Sequence, residues 1–348
     1  MKTPLKIKAL SLHSCLGKGA EFNASAMRCN YDGFEETDFM QNSRIGPQIG
    51  ASMKLEVRGI KKLTYLCQLA LEEILKQERL DFSTVPIYIC LQEKEQRPML
   101  FDSDELLEAL TLAVSNQLSI KELNESSKFY FQDRCGLVTA LEKAQDNIYT
   151  NDYEHVLIIS IDTLLNAPTL SYYGGDLYGD GCRLLTDDNS NGFIPGEAST
   201  AILLSKPTGE KGEVLITGVG TAKESASFEN EEEVLKGNGL TQAIDLALDD
   251  ANSAMHEMAF RVSSLSGEEY FFNEASLAQT KTLTQKVSHQ PLLHPADSIG
   301  EVGASIGGAM VVQTYYSFVK KYALGKKAIC HISNDDELRG AFVMEYHE

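Results

Sequence analysis

A chain of 348 residues, 43% hydrophobic and 23% charged, carries enough apolar material for one large or two medium cores. Its 31 basic residues face 50 acidic ones, a net charge of −19, and that field argues against nucleic acid and anionic membrane as partners. Seven scattered cysteines without a C-x-x-C pair give neither a disulfide framework nor a zinc site. The opening MKTPLKIKALSLHSCLG lacks the long apolar centre of a signal peptide, and no run reaches 18 apolar residues, so we expect a soluble, cytoplasmic protein.

Residues 5–12 alternate polar and apolar and predict a strand; Gly17 and Gly19 mark a turn before a short helix. Residues 31–53 carry little periodicity and read as loop. From 57 to 80, Ile60, Leu63, Leu66, Cys67, Ala70 and Ile74 recur at helical spacing. PIYICL (86–91) reads as a buried strand closed by the charged run EKEQRP, and 104–118 as a helix with Ser103 as its cap. A strand at 129–131, a helix after Cys135 and the apolar strand VLIISI follow. The Gly- and Asp-rich stretch 167–191 lacks the calcium-loop spacing and reads as a solvated loop. No metal and no cofactor is expected.

The second part of the chain repeats the first. VLITGVGTAKE (214–224) matches the opening strand, 240–255 the helix at 60–75, YFFN (270–273) the strand PIYICL, and 304–324 the helix after Cys135; KAICHIS and AFVMEY close the chain as strands. An internal duplication of an α/β unit, with halves 1–206 and 207–348, is the simplest account.

Chemistry is expected at Cys135. The thiol lies at a turn from strand to helix, where unpaired N–H groups and the helix dipole lower a thiol pKa and hold an oxyanion. The competing reading is a small core residue, since free cysteine is among the most buried side chains.

Four stretches carry a family resemblance: SLHSCLGKGAEFNASAMRCNYDGF, VLIISIDTLL, GFIPGEASTAILL and GEVGASIGGAM. They resemble the β-ketoacyl synthase branch of the thiolase-like fold (3-oxoacyl-acyl-carrier-protein synthases), GFIPGEASTAILL most specifically through its Gly-Phe-x-x-Gly-Glu turn. The resemblance implies an α/β fold of two similar βαβα halves in a layered α/β/α arrangement, trimmed loops, a homodimer or a heterodimer with a ketosynthase-like protein, and acyl-CoA or acyl carrier protein as thioester donor. It implies Cys135 as the acylated nucleophile; a rival alignment through Leu137 and Val138 puts Asp133 there.

The departures from the family are as informative. The two histidines that polarise the thioester oxygen fall at Glu274 and Glu301, the lysine at Ala296, and the Phe-Gly-Gly loop is replaced by SNDDELRGA (333–341). An ionised glutamate only accepts hydrogen bonds and repels a malonyl carboxylate. His289 and His294 are the histidines that could have taken over. Three functions follow from the resemblance: a noncatalytic partner of the chain-length-factor type, or an accessory protein like relatives encoded beside type VI secretion effectors; a cysteine acyltransferase or thioesterase using Cys135 with Glu274 or Glu301; and a rearranged condensing enzyme. Lys54, Arg58, Lys61 and Lys62 form the one candidate basic patch for an acidic carrier protein.

Overall fold

The computed structural model describes residues 3–41, 46–94, 97–99, 101–175, 181–228, 230 and 232–348. Parts of the charged run at 93–98 and of the Gly- and Asp-rich stretch at 167–191 lie outside them. The first part of the chain runs β1 (Leu5–Ser14), α1 (Ala20–Arg28), α2 (Ile60–Gln77), β2 (Ile87–Leu91), α3 (Ser103–Leu118), β3 (Lys128–Phe131), α4 (Gly136–Tyr149), β4 (His155–Thr163), α5 (Ala167–Tyr173) and β5 (Glu197–Ser205). The second runs β6 (Glu213–Lys223), α6 (Asn238–Ala251), β7 (Phe260–Ser263), α7 (Glu269–Thr282), β8 (Leu292–Leu293), α8 (Ala296–Ile299), α9 (Ile306–Val319), β9 (Lys327–Ser333) and β10 (Leu338–His347).

The two sets of five strands have one order, β3-β2-β4-β5-β1 and β8-β7-β9-β10-β6. In each, the first three positions pair in parallel and the fourth strand runs antiparallel to both neighbours. The sets meet edge to edge where Leu5 and Lys6 pair with Ile216 and Leu215.

Strands buried on both faces explain the continuous apolar runs of the sequence. Val156 and Ile158 of β4 face a central layer that holds α4 and α9, whereas Leu157, Ile159 and Ile161 face α2 and α3. In the second set, Cys330 and Ile332 point to that same central layer and Ile329 points to α6 and α7. The result is helices outside, sheet, helices between, sheet, helices outside. The central helices pack closely: a Cβ at Gly307 of α9 would lie 2.8 Å from the Leu137 side chain of α4.

Four expectations need correction. YFFN is part of α7, because Phe271, Glu274, Ala275, Ala278 and Thr282 are buried at helical spacing and outweigh the strand preference of the aromatics. The strand in that place is β7. Residues 31–53 contain a small hairpin, Glu35–Met40 with Pro47–Gly50; its first strand is too polar to show an apolar period. Within 167–191 lies α5, where Asn166 caps Thr169 N–H and Pro168 sits in the first turn, which needs no proline N–H. The cap of α3 is Asp102, accepting from Asp104 and Glu105 N–H, rather than Ser103.

One buried group makes the fold sensitive to acid. His13 on β1 is 5% exposed, and burial, aided by Lys18, holds its imidazole down to about 4. The unfolded chain binds this proton near pH 6.5, so its contribution is complete above pH 6.5 and is lost as pH falls toward 4, about 3 kcal/mol for the whole shift. Glu73, 3.3 Å away, is raised by burial and acts in the opposite sense. His13→Gln is expected to flatten the fall in stability between pH 6.5 and 4 by up to one proton. Urea titrations across that range with unchanged slope overturn the assignment.

Candidate functional site

The turn between β3 and α4 is a single 3-10 turn, Asp133–Cys135. Its first residue, Asp133, has φ +45°, a left-handed conformation that a residue with a Cβ rarely adopts. The second set of strands repeats the device: Gly303–Ser305 forms a 3-10 turn ahead of α9, and Gly303 has φ +50°. A Cβ at Gly303 would lie 2.0 Å from Asp162 Oδ2, so only glycine fits there.

Cys135 comes two residues later and faces the central layer with no exposed surface. Its Sγ lies 3.7 Å from the Ile332 carbonyl and 3.5 Å from the Leu338 carbonyl, while its N–H donates to Asn334 Oδ1 at 3.0 Å. Burial pushes the thiol far above its ordinary range, against the pull of Arg339. The helix N-terminus that was expected to lower this pKa is outweighed by desolvation. Asp133, by contrast, keeps a side chain 17% exposed, 3.9 Å from the Arg97 guanidinium.

Around the turn every charged group is paired. Arg97 binds both oxygens of Asp162, at 2.7 and 2.6 Å, and Asp162 also accepts from the N–H groups of Thr163 and Ala304. Arg134 reaches Glu301 at 3.1 Å and Asp335 at 3.0 Å, and donates to the Ser333 carbonyl. Arg183 bridges Glu268 and Asp335 with four hydrogen bonds of 2.7–3.0 Å. Burial alone would raise Asp335, but Arg134 and Arg183 hold its carboxyl well below the usual range.

Glu301 and Glu274 are each engaged with an arginine, Arg134 and Arg339. Glu301 accepts from Gly303 N–H at 2.8 Å; burial raises its carboxyl and Arg134 opposes the rise. Its backbone pairs with the Gly-Phe-x-x-Gly-Glu turn, through Gly196 N–H to the Glu301 carbonyl and Glu301 N–H to the Ile194 carbonyl. Glu274 lies on α7, fully buried, its Oε1 2.6 Å from Arg339 Nε and its Oε2 accepting from Ser333. Burial raises this carboxyl too, with Arg339 as the opposing charge. His289 is exposed, His294 is bound to Asp297 at 2.8 Å, and Ala296 is buried in α8.

Space at the turn is small. The cavity touching Arg97, Asp133, Arg134, Tyr173, Asn334 and Asp335 measures about 10 Å³, the size of one water molecule. A groove of about 960 Å³ lies elsewhere, between the hairpin and the start of α2, and none of Cys135, Glu274 and Glu301 lines it. Of the expected basic patch, Lys54 binds Glu35 at 2.6 Å and Lys62 binds the buried Glu197 at 2.7 Å, and Arg58 lines the groove together with Glu36, Asp38 and Glu56.

Sequence reasoning missed Arg97, Arg134, Asp162, Asn334 and Asp335 as site residues. A signal existed for two of them. Asp162 is an acid at the end of an otherwise apolar buried strand, and Asp335 sits in the segment that replaces the family's glycine loop.

No protein-family model and no curated protein matches the chain. Solved structures do. A type II polyketide acyl-carrier protein in complex with its ketosynthase (AntDE:AntF) aligns with TM-score 0.81 at 12% identity, over 99% of this chain and 100% of that one. A ketosynthase with its chain length factor from Xenorhabdus doucetiae gives 0.73 at 12%, over 99% and 98%. The PfaC keto synthase-chain length factor gives 0.74 at 12%; this chain is covered completely and spans 43% of that one. Among the described residues no helix is long and apolar enough to cross a membrane. The chain therefore has the thiolase-like α/β fold that ketosynthases and chain length factors share.

Proposed function

We propose that this protein is a noncatalytic ketosynthase-like subunit, of the chain-length-factor or accessory kind, whose halves are residues 1–206 and 207–348. The observation that carries the reading is the turn before α4. Its strained, outward-facing position is held by Asp133, which we assign to the nucleophile position, while the thiol of Cys135 is shut in the core. A carboxylate beside Arg97 offers no thiolate to a thioester. Glu274 and Glu301, in the expected histidine positions, are each occupied by an arginine and so are not free to donate to an enolate oxygen.

Losing nucleophile, base and space together removes the chemistry while the fold, held by the same ion pairs, persists. The function then lies in the surface, through a ketosynthase-like or accessory partner. Of the two histidines that could have taken over, His289 is exposed and His294 is held by Asp297, which supports the noncatalytic reading.

The test is intact-protein mass spectrometry after incubation with acyl-CoA and malonyl-CoA thioesters, wild type beside Cys135→Ala. No adduct on either protein is expected. A thioester adduct on the wild type that vanishes in Cys135→Ala would return the protein to the enzymes and overturn the proposal. Purification with neighbouring gene products then asks for the partner: a stable complex unchanged by Cys135→Ala is the expected result.

A further inference from the structure

Buried arginines in this fold hold carboxylates: Arg97 has Asp162, Arg134 has Glu301 and Asp335, and Arg339 has Glu274. Arg261 has none. It lies on β7, only 8% exposed, and its Nε meets no acceptor. Among the described residues its guanidinium has no hydrogen-bonded or ion-paired partner, and burial alone lowers its pKa. Nε is the buried end of this guanidinium, and a buried N–H without an acceptor is costly, so a protein retains one only where it is used or tolerated; the Nη atoms are not among the buried ones and stay open to a ligand.

The strand register builds the surroundings. Arg261 stands beside Leu292 of β8 and Ile329 of β9, and Ser263, on the same face, stands beside His331. His294 follows β8 directly; its ring meets Phe272 edge-on with centroids 5.9 Å apart, and Phe272 is 39% exposed. His331 is 3% exposed, and burial, with Arg261 and His294 as neighbouring charges, holds it neutral down to about 3. This is the α7 side of the sheet. The alternate residues Val262 and Cys330 face the central layer, so the cluster is separated by the sheet from the helices that follow the two turns.

We propose that Arg261, with His294 and His331 beside it, binds an oxyanion, the carboxylate or phosphate group of a small solute. A guanidinium presents two parallel donors that match either group, and a neutral imidazole adds one more. Against a net charge of −19, a cation whose own guanidinium has no carboxylate partner is where an anion gains most; the one carboxylate recorded at the cluster, Asp297, is held by His294 at 2.8 Å. The site does not depend on whether the protein is a catalyst.

The experiment is unfolding of the full chain in inorganic phosphate, sodium acetate and sodium chloride at equal ionic strength, with the histidine ring resonances followed by NMR. Phosphate or acetate is expected to stabilise saturably beyond chloride, raising the folded-to-unfolded ratio about elevenfold at ten times its dissociation constant, and to move the His294 and His331 resonances. A phosphate-only response assigns a phosphate ester; an equal response to acetate assigns a carboxylate. Arg261→Met is expected to lose the response without losing stability in chloride, since no partner is orphaned. Arg261→Lys keeps the charge without the fork and weakens binding severalfold, which serves if the methionine variant fails to fold. Responses equal to chloride in the wild type, or a response unchanged in both variants, overturn the proposal.

Discussion

Arg339→Met is expected to lower the unfolding free energy by about 3–5 kcal/mol, because it leaves the Glu274 carboxylate buried without its counter-charge. The side chain of Arg339 has no exposed surface and uses every donor in reach of a partner. Nε binds Glu274, Nη1 donates to the carbonyls of Asn334, Asp336 and Leu338, and Nη2 donates to Tyr270. The arginine thus ties α7 to the segment between β9 and β10 that replaces the glycine loop. Removing both charges with Arg339→Met and Glu274→Met is expected to recover part of the loss, as buried ion pairs exchanged for apolar pairs often do. Denaturant unfolding of the two single variants and the double variant measures the coupling. Additive losses would mean that the carboxylate and the guanidinium do not stabilise each other, and the account of Glu274 as a structural group would fall.

The second large effect is on thiol chemistry. Iodoacetamide is expected to label the exposed Cys29 readily and Cys135 at least about 10³ times more slowly, since a core thiol reacts only through opening of the fold. Asp133→Cys is expected to create a thiol labelled at a rate much nearer to that of Cys29, because the Asp133 side chain is part exposed at the left-handed turn. Peptide mapping after a short pulse reads the sites separately. Cys135 labelled as fast as Cys29 would mean that its pocket opens, and the nucleophile would have to be reassigned to it.

The sequence was enough for the architecture. Alternation placed β1, helical spacing placed α2, and continuous apolar runs placed β2 and β4, because strands buried on both faces and helices buried on one must write their burial into the chain. The repeated strand order was visible for the same reason, though YFFN was matched to the wrong element: four aromatic and polar residues carry no period, and only the packing of Phe271, Ala275 and Ala278 against the sheet makes them helix. The hairpin at 35–50 and α5 were invisible because they are short and held by caps and edges rather than by an apolar stripe.

That glutamates, Glu274 and Glu301, stand where the resemblance would want histidines was an expectation of the sequence alone. What only the tertiary structure decided is which side chain at the turn is part exposed, which is buried, and what surrounds each. Asp133 and Cys135 are two positions apart, and a turn of that length carries one side chain outward and the other into the core according to φ at its first residue, which no spacing reveals. The partners are separated by long stretches of chain: Arg134 meets Glu301 and Asp335, Arg97 meets Asp162, and Arg339 meets Glu274. A charge reads the same in the sequence whether it is solvated or sealed against its opposite. Its burial, and with it the direction of every pKa at this site, is set by which distant segments the sheet order brings to the same end of the strands.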